Sequence, residues 1–430
     1  MCGACQGTNE RQRARAARSH LHRLWGGAGH EVLARIFSDT GRRVCRIRTR
    51  EKRGYADCRQ GSRTPIKNVH VQLLDIPFKQ AFVHAAAVRA HTESVLVTVT
   101  NDDGVTGIGE GCPRRYVTGE TVDSVQSFIE TYREQWMAFE SVQDCMRWAA
   151  EHTSVIDQNP AGWCAVETAC LDLFGKEAGR PIEALLGLPV LSGRFQYSAV
   201  LGTDNLSSFE KQLQWYRSVG CTDFKVKVTG QWQNDHDKLA RLASVDDPTM
   251  RVRLDANNLW RDAEDALAYL RQLPGHVTAI EEPLGVGDYN GCRRLARELN
   301  IPIILDESFL RVEQFALLQN DPPSTWIINI RVSKMGGILR SLAVAKRAGE
   351  IGLAIIIGAH VGETSVLTRS ALAVAHRYRD LVVAQEGAFG TLLLERDLCD
   401  PTLMFGSAGQ LDATTIGHLA GLGLTLREGK

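Results

Sequence analysis

The sequence contains no run of about 18 consecutive apolar residues, the length at which a transmembrane helix becomes a candidate. Residues 1–30 also lack the apolar stretch of a secretory signal peptide. Charge of one sign does not prevail either, since 50 Lys and Arg balance 50 Asp and Glu in a chain of 430 residues that is 44% hydrophobic. We therefore expect a soluble, cytoplasmic protein with no membrane partner and no nucleic-acid partner.

The sequence also lacks the cysteine pattern of a disulfide framework. The eleven cysteines are odd in number, and several lie inside apolar runs, such as Cys164, Cys170 and Cys221. Cys2 and Cys5 have the spacing of two metal ligands, but no second Cys-x-x-Cys pair follows, so a zinc site is not expected. The pattern predicts reduced cysteines in the core of a cytosolic protein.

Residues 1–68 differ from the rest of the chain in charge. They hold 14 Arg and two Lys against five acidic residues, a net charge of +11, so residues 69–430 carry −11. No apolar periodicity is sustained there, which favours a basic, disordered extension that takes no part in the fold. Attraction to nucleic acid or a membrane surface through the arginines is one alternative, and an organelle transit peptide is another.

The length favours two domains, and the first is predicted over residues 69–190 as an α+β layer. Its strands alternate apolar and polar residues from Val69 onward, with Asn-Asp-Asp-Gly at 101–104 as a turn signal. Two amphipathic helices, 121–149 and 162–176, follow the strands.

Two predicted loops interrupt this first domain, Phe78–Arg89 and Cys112–Glu120. One interpretation makes them ordinary surface loops. The other makes them a lid over the next domain that sets substrate specificity. In such a lid, Tyr116 could stack on the substrate, and Arg114 or Arg115 could bind an anion.

From residue 191 the pattern changes to alternating strands and helices, which predicts an α/β fold with a parallel sheet. Eight candidate strands imply that the sheet closes into a TIM-like barrel over residues 191–387. The last segment, 388–430, contains no further strand–helix unit and is predicted to return to the first domain. The candidate strands are 195–201, 223–228, 251–256, 278–282, 302–306, 326–331, 354–359 and 381–386.

Three carboxylates follow one another at intervals of about 25 residues, the length of a strand, a helix and their two loops. Asp255, Glu281 and Asp306 each end a short apolar run. They are therefore predicted in one layer, at the carboxyl ends of neighbouring strands, where barrel enzymes keep their chemistry. A buried trio of acids repels itself, and a divalent cation with oxygen ligands, best Mg²⁺, is the usual remedy.

Charged or polar residues end seven of the eight predicted strands. Each is a weak indicator by itself, because a lone His360 is more often a satisfied polar residue than a catalyst. As a set on one face they indicate an active site, since stability alone rarely places charge there. Beside the three acids, the set comprises Lys225, Lys227, Asn257, Glu282, Glu307, Asn329, Arg331, His360, Gln385 and Glu386.

In this ordered set the chain resembles the enolase superfamily, on the mandelate racemase and muconate lactonizing branch of the Lys-x-Lys type. The resemblance covers 69–430 and rests on Lys225-Val-Lys227, Asp255-Ala-Asn257, Ile280-Glu-Glu-Pro, Leu305-Asp-Glu-Ser and Lys334-Met-Gly-Gly. It implies an α+β capping domain on a modified (β/α)7β barrel, with one Mg²⁺ held by Asp255, Glu281 and Asp306. It also implies that Lys227 is the acid/base and that Lys225 lies against it and the substrate carboxylate.

The chemistry of the two lysines agrees with this role. A proton next to a carboxylate is weakly acidic, because its removal leaves a doubly charged enolate, which a metal on the carboxylate oxygens stabilises. Lys225 and Lys227 lie two residues apart on one strand, so they face the same side. Each cation is expected to lower the pKa of the other, which prepares a lysine to act as a base near neutral pH.

Arg331 departs from the pattern of the racemases and dipeptide epimerases of this type, in which a second lysine ends the sixth strand. Arginine stays charged at any working pH and is a poor proton acceptor, and Lys334 is not expected to replace it. We therefore expect one-base chemistry on a small carboxylate, either muconate-type cycloisomerisation or the elimination of a dehydratase, with His360 assisting a leaving group or binding substrate. Epimerisation or racemisation is the alternative.

Other classes stay open from the residues alone. A metal-free barrel could act as a Schiff-base aldolase through Lys227 or as a glycosidase through Glu281, and a protein disabled by Arg331 could bind its ligand without turnover. A homo-oligomer is expected. The residues predicted to contact the substrate are Tyr116, Asn257, His360 and Glu386.

Overall fold

The structure is a computed structural model, and it describes residues 65–84, 87–202 and 205–427. These residues belong to one compact unit that spans Gln60–Lys430. The extension predicted over 1–68 lies almost entirely outside the described residues, as do Cys2 and Cys5. None of the helices in the described ranges combines the length and the apolar character needed to cross a membrane.

The first domain pairs antiparallel strands with helices. Its strands are β1 (Ile66–Leu74), β2 (Pro77–His84), β3 (Ala87–His91), β4 (Ser94–Asn101) and β5 (Thr106–Gly111). Its helices are α1 (Arg115–Thr118), α2 (Val122–Met137), α3 (Val142–Glu151), α4 (Thr153–Gln158), α5 (Pro160–Glu177) and α6 (Ile182–Leu185). The sheet has the order β1–β4–β5, and β2 and β3 form a separate hairpin.

Glycine fixes the contact between β5 and α5. A Cβ atom added at Gly107, Gly109 or Gly111 would collide with the backbone of α5. The three glycines alternate along the strand, so all of them face the same side. They let the buried helix lie directly on the sheet, and the helix in turn is almost completely buried along its length.

Two local predictions for this domain are wrong. The segment Phe78–Arg89 is not a loop, because it forms most of the β2–β3 hairpin. The helix predicted over 121–149 is divided into α2 and α3. A new helix starts where the Asp144 carboxylate accepts hydrogen bonds from Glu140 N at 3.1 Å and Ser141 Oγ at 2.8 Å.

The second domain is the predicted parallel barrel. Strand β6 (Arg194–Gln196) precedes it, and the barrel strands are β7 (Ala199–Leu201), β8 (Asp223–Lys227), β9 (Arg251–Asp255), β10 (Ala279–Glu281), β11 (Ile303–Leu305), β12 (Trp326–Ile330), β13 (Ala354–Ile357) and β14 (Val382–Gln385). Strands β7 to β14 pair in sequence order, all parallel. Ser198 N, just before β7, donates a hydrogen bond to Gln385 O in β14 over 2.7 Å, which joins the two ends of the sheet.

Helices alternate with these strands as the sequence predicts, except between β11 and β12. There two short 3-10 turns, Val312–Leu317 and Pro323–Thr325, stand in place of an α-helix. The helices are α7 (Leu206–Ser218), α8 (Trp232–Ala243), α9 (Ala263–Leu270), α10 (Tyr289–Leu299), α11 (Val332–Met335), α12 (Ile338–Glu350) and α13 (Ser365–Arg377).

The C-terminal segment contributes β15 (Cys399–Asp400), β16 (Gln410–Asp412) and β17 (Thr425–Leu426). Strand β16 pairs with β6, so the strand predicted over 195–201 is divided between this pair and the barrel. Lys79 N of the first domain donates to Leu393 O at 2.8 Å, and Leu422 N donates to Asp172 Oδ1 at 2.7 Å. The domain boundaries at 69–190, 191–387 and 388–430 stay a prediction.

Buried glutamates tie the first domain to the barrel. Glu110, in β5, accepts hydrogen bonds from Thr364 N at 3.1 Å and Thr364 Oγ1 at 2.6 Å, at the start of α13. Glu167, in α5, accepts from Ile338 N at the start of α12. Acceptors at helix N-termini satisfy backbone N–H groups that have no partner within the helix. These contacts hold the first domain over the carboxyl ends of the barrel strands.

Candidate active site

The three predicted acids meet at the carboxyl ends of adjacent strands. Asp255 ends β9 and pairs in register with Glu281, which ends β10. Asp306 follows β11, whose Ile304 pairs with Glu281. Their side chains are all nearly inaccessible to solvent. The regular strand–helix spacing therefore brings three carboxylates into one buried layer, as the sequence predicts.

Cations compensate the buried acids. Lys225 Nζ lies 2.8 Å from Glu281 Oε2 and 3.3 Å from Asp255 Oδ2. Lys334 Nζ lies 2.8 Å from Asp306 Oδ1, and the Arg331 guanidinium pairs with the same carboxylate. Since an unpaired buried charge is costly, these cations explain how the acids remain in the interior.

The donor set of the acids suits Mg²⁺. All three side chains offer oxygen, the ligand that Mg²⁺ prefers, and neighbours orient them. Asn329 Nδ2 donates to Glu281 Oε1 at 3.2 Å, and Lys334 Nζ donates to Asp306 Oδ1 at 2.8 Å. The carboxylates of Asp255, Glu281 and Asp306 therefore fit the Mg²⁺ that the sequence predicts.

The electrostatics differ from the sequence-based expectation at Lys225. Its burial works to lower the pKa of the ammonium, but Asp255, Glu281 and Glu386 outweigh this effect and raise the pKa well above its usual value. Mutual repulsion between Lys225 and Lys227 is therefore not the dominant influence on Lys225. The expectation that this pKa is lowered is wrong, because three carboxylates surround the group.

Lys227 contacts Asn257, a residue that the sequence predicts to contact the substrate. Its Nζ donates a hydrogen bond to Asn257 Oδ1 at 2.8 Å and lies 3.3 Å from Asp255 Oδ2. Asn257 has a left-handed backbone with φ of 47°. Its backbone N–H donates a hydrogen bond to Asp255 Oδ1 at 3.3 Å. Asn257 thus orients Lys227 from the loop after β9.

A cavity of about 520 Å³ opens above these strand ends. The first domain contributes Lys79, Gln80 and Tyr116 to its lining. Glu281, Asp306 and Asn257 are not among the lining residues described. The barrel residues of the predicted site that line the cavity are Lys225, Lys227, Asp255, Arg331, His360 and Glu386.

Of the predicted lid segment Cys112–Glu120, which the structure describes in full, Tyr116 alone lines the cavity. Tyr116 faces the cavity, with the Arg89 guanidinium carbon 5.6 Å from its ring centroid. Arg114 cannot bind an anion as proposed, because it is buried and its guanidinium donates to the carbonyl oxygens of Pro113 at 2.6 Å and Val361 at 2.5 Å. Its role is to hold the first domain against the barrel.

His360 lies buried in the cavity wall, with its Nδ1 3.9 Å from Glu363 Oε1. Its ring nitrogens lie near Cys112 and Glu363, with candidate metal-ligand atoms of the three residues within 4.8 Å of one another. Burial, then Arg331 and Arg114, hold the pKa of His360 well below its usual value. The positive charges of Arg331 and Arg114 also disfavour a metal ion at this cluster. His360 is therefore a neutral imidazole in the cavity wall.

Arg253 is a site residue that the strand-end pattern missed. It precedes Asp255 by two residues on β9, so it shares the inward face, and this spacing is the signal that could have found it. Its Nη2 donates to Ser198 Oγ at 2.9 Å and to Glu386 Oε1 at 3.3 Å. Lys225 Nζ holds the other Glu386 oxygen at 3.0 Å, so this glutamate is fixed between two cations.

Comparison with known families agrees with the fold and the site. A family model described as "Mandelate racemase / muconate lactonizing enzyme, N-terminal domain" matches residues 67–187. A second, described as "Enolase C-terminal domain-like", matches residues 208–430, which is more than half of the chain.

Similar proteins include epimerases. A hydrophobic dipeptide epimerase of Enterococcus faecalis is 25% identical over 332 residues, covering 76% of this chain and 91% of that protein. An L-Lys-D/L-Arg epimerase of Desulforapulum autotrophicum is 26% identical over 338 residues, covering 77% of this chain and 92% of that protein.

Solved structures share the fold. The muconate lactonizing enzyme from Pseudomonas fluorescens, complexed with muconolactone, aligns with a TM-score of 0.75 at 22% identity, covering 85% of this chain and 98% of that one. The Enterococcus faecalis dipeptide epimerase, complexed with Mg and the dipeptide L-Leu-L-Tyr, aligns with a TM-score of 0.73 at 24% identity. The alignment covers 84% of this chain and 99% of that one. The chain is therefore an enzyme of the enolase superfamily and belongs to its mandelate racemase and muconate lactonizing branch.

Proposed function

We propose that this protein is a Mg²⁺-dependent isomerase or lyase that removes the α-proton of a small carboxylate, with Lys227 as its base. The observation that carries this proposal is the position of Lys227, which lies in the cavity lining, 3.3 Å from the first of three adjacent buried carboxylates. A base and an all-oxygen metal site on neighbouring strands are the two components that α-proton abstraction requires.

Asp255, Glu281 and Asp306 would hold the Mg²⁺. When bound, it stabilises the negative charge that develops on the substrate carboxylate oxygens as the proton leaves. Lys225 contributes a positive charge in the same region, where its Nζ lies 2.8 Å from Glu281 Oε2 and 3.0 Å from Glu386 Oε2. Preformed charges of this kind favour the developing dianion without reorganisation.

Lys227 would accept the α-proton on Nζ in its uncharged form. Its contacts with Asn257 at 2.8 Å and Asp255 at 3.3 Å fix the direction of the nitrogen. The C–H bond breaks as the N–H bond forms, and the electron pair moves into the carboxylate. The proton can then return to the same face or leave with a group at the β-carbon.

Arg331 favours one-base chemistry. Burial works to lower its pKa, but Asp306 and Glu307 outweigh this and raise the pKa well above its usual value. A guanidinium paired with Asp306 cannot accept a proton on the face opposite Lys227. Cycloisomerisation or β-elimination is therefore the preferred reaction. In an elimination, protonated Lys227 can give the proton to the departing group, and neutral His360, which lines the cavity, can donate a hydrogen bond to it.

Epimerisation is a second candidate, because the two relatives compared in sequence are epimerases. Proton exchange in D₂O separates the two reactions. One-base chemistry predicts deuterium at the α-carbon with retained configuration, or an elimination or cyclised product, whereas epimerisation predicts deuterium in the inverted product. Chelator should abolish the exchange and Mg²⁺ should restore it; undiminished exchange in chelator would exclude the proposed metal dependence.

A further inference from the structure

The cavity is chemically divided. Lys225, Lys227 and Arg331 form a charged floor at the strand ends. The remaining lining contains large apolar side chains from other parts of the chain. These are Val200, Trp215, Tyr216, Phe389, Leu392, Leu393 and Leu394.

Two of these cavity-lining side chains remain accessible to solvent. Trp215 retains 43% and Leu392 retains 39% of their accessible surface. A single exposed apolar residue needs no explanation, but several that converge in a concave site next to polar groups are typical of a ligand-binding wall. Covering this surface would contribute binding free energy through the hydrophobic effect.

The apolar wall is held in place before any ligand binds. The ring of Trp215 packs against that of Tyr216 in an edge contact, with centroids 4.8 Å apart. Phe389 packs against buried Phe405 with centroids 5.4 Å apart. A rigid aromatic wall binds with a small loss of side-chain entropy.

The wall begins next to the lysine strand. Val200 of β7 pairs in register with Lys225 of β8, and both line the cavity. A substrate whose carboxylate reaches the charged floor therefore extends its remaining atoms along apolar surface.

The described lining offers no carboxylate for a cationic substituent. Asp255 and Glu386 pair with lysine or arginine, and Glu363 accepts the His360 backbone N–H at 2.6 Å. Lys79 adds a positive charge to the lining. A positively charged tail would thus lose hydration without gaining a partner.

Resting on the proposed function, we propose that the substrate is a carboxylate with an uncharged apolar substituent of several carbons, aliphatic or aromatic, that packs on Trp215 and Leu392. These two residues are positioned to determine substrate specificity. A short or cationic substituent would leave the same wall exposed to water.

Matched ligands test this assignment. We would measure the affinities of N-acetyl-, N-hexanoyl- and N-(6-aminohexanoyl)-alanine by calorimetry with Mg²⁺ present, and their α-proton exchange in D₂O. We expect the hexanoyl ligand to bind at least about tenfold more tightly than the acetyl ligand, since one methylene in an apolar pocket is worth about that factor. The aminohexanoyl ligand should bind no more tightly than the acetyl ligand.

Variants test whether Trp215 causes the tighter binding of the hexanoyl ligand. Trp215→Ala should remove the hexanoyl preference, and Trp215→Phe should restore most of it. Trp232→Ala is the matched control, because Trp232 is also exposed, at 37%, but does not line the cavity. Equal affinities for the three ligands, no measurable hexanoyl binding, or a preference that persists in Trp215→Ala would overturn the inference. Tight hexanoyl binding without any α-exchange would instead contradict the proposed function alone.

Discussion

Lys227 Nζ donates a hydrogen bond to Asn257 Oδ1 over 2.8 Å. The two residues lie at the ends of neighbouring strands, and Asn257 adopts a left-handed backbone with φ of 47° to make the contact. Asparagine tolerates this conformation better than most residues. A strained residue that orients a buried lysine is consistent with a positioned proton acceptor.

Replacing the proposed base should stop proton abstraction. We expect Lys227→Ala to reduce α-proton exchange by about a thousandfold, within the range that general base catalysis contributes. Ligand affinity should change much less. Lys211→Ala, a change of an exposed lysine on α7, is the control. Near-normal exchange in Lys227→Ala would assign the base to another residue.

Asn257→Gly should weaken catalysis without disturbing the backbone, because glycine also accepts a positive φ. We expect kcat to fall about tenfold, the lower end for a residue that orients a catalytic group, while KM stays similar. The split between kcat and KM is the readout, because loss of orientation slows catalysis and leaves substrate binding intact. An unchanged kcat, or equal changes in kcat and KM, would contradict the role of Asn257 in orienting Lys227.

Arg331→Lys should reveal whether a second base is all that separates this enzyme from its epimerase relatives. A lysine there can lose its proton and accept one from the opposite face, so inversion at the α-carbon should appear or increase. Chiral chromatography after incubation in D₂O measures this. Efficient inversion by the unmodified protein would refute the one-base preference.

Glu110 should make the free energy of unfolding depend on pH. Burial raises its pKa to about 8 from the ordinary value of 4.5. Because the folded state binds this proton more tightly, the stabilisation is fully present below about pH 4.5 and is lost as the pH rises through about 8. Denaturant titrations of Glu110→Gln should lack this contribution, whose slope reaches about 1.4 kcal/mol per pH unit. If the free energy of unfolding changed with pH in the same way in the unmodified protein and in Glu110→Gln, the raised pKa would not belong to Glu110.

Deleting the basic extension should leave activity and stability unchanged as long as the deletion ends before Ile66. Deleting residues 1–64 should leave the activity and the melting temperature unchanged. A deletion of residues 1–66 would also remove Ile66, which is 2% exposed and pairs with Asn101 in the sheet. We expect that longer deletion to lower the melting temperature. A loss of activity in the 1–64 deletion would show that the extension contributes to function.

The layer of three acids could be predicted because it depends on local repetition. Asp255, Glu281 and Asp306 recur with the strand–helix unit, and parallel pairing places successive units side by side. The Lys225-Val-Lys227 spacing fixes a shared face for the same reason. Such features need only the period of the chain and the order of its strands.

The interactions of these residues could not be predicted. Glu386 is 161 positions from Lys225 and 133 from Arg253, yet both cations hold it. Burial lowers the pKa of Lys225, but Asp255 and Glu281, and after them Glu386, raise it well above its usual value, against the expectation from the sequence. Apolar periodicity encodes which face a residue takes but not the partner it meets across a closed barrel.

The sequence by itself determined the alternation of strands and helices, the layer of three acids and the lysine strand, because each follows from spacing along the chain. Only the tertiary structure decided that Asn257 orients Lys227, that Arg331 pairs with Asp306 and that Trp215 joins Leu392 in one wall. These relationships arise when closure of the sheet brings distant segments together, and the free energy of their contacts depends on burial and distance.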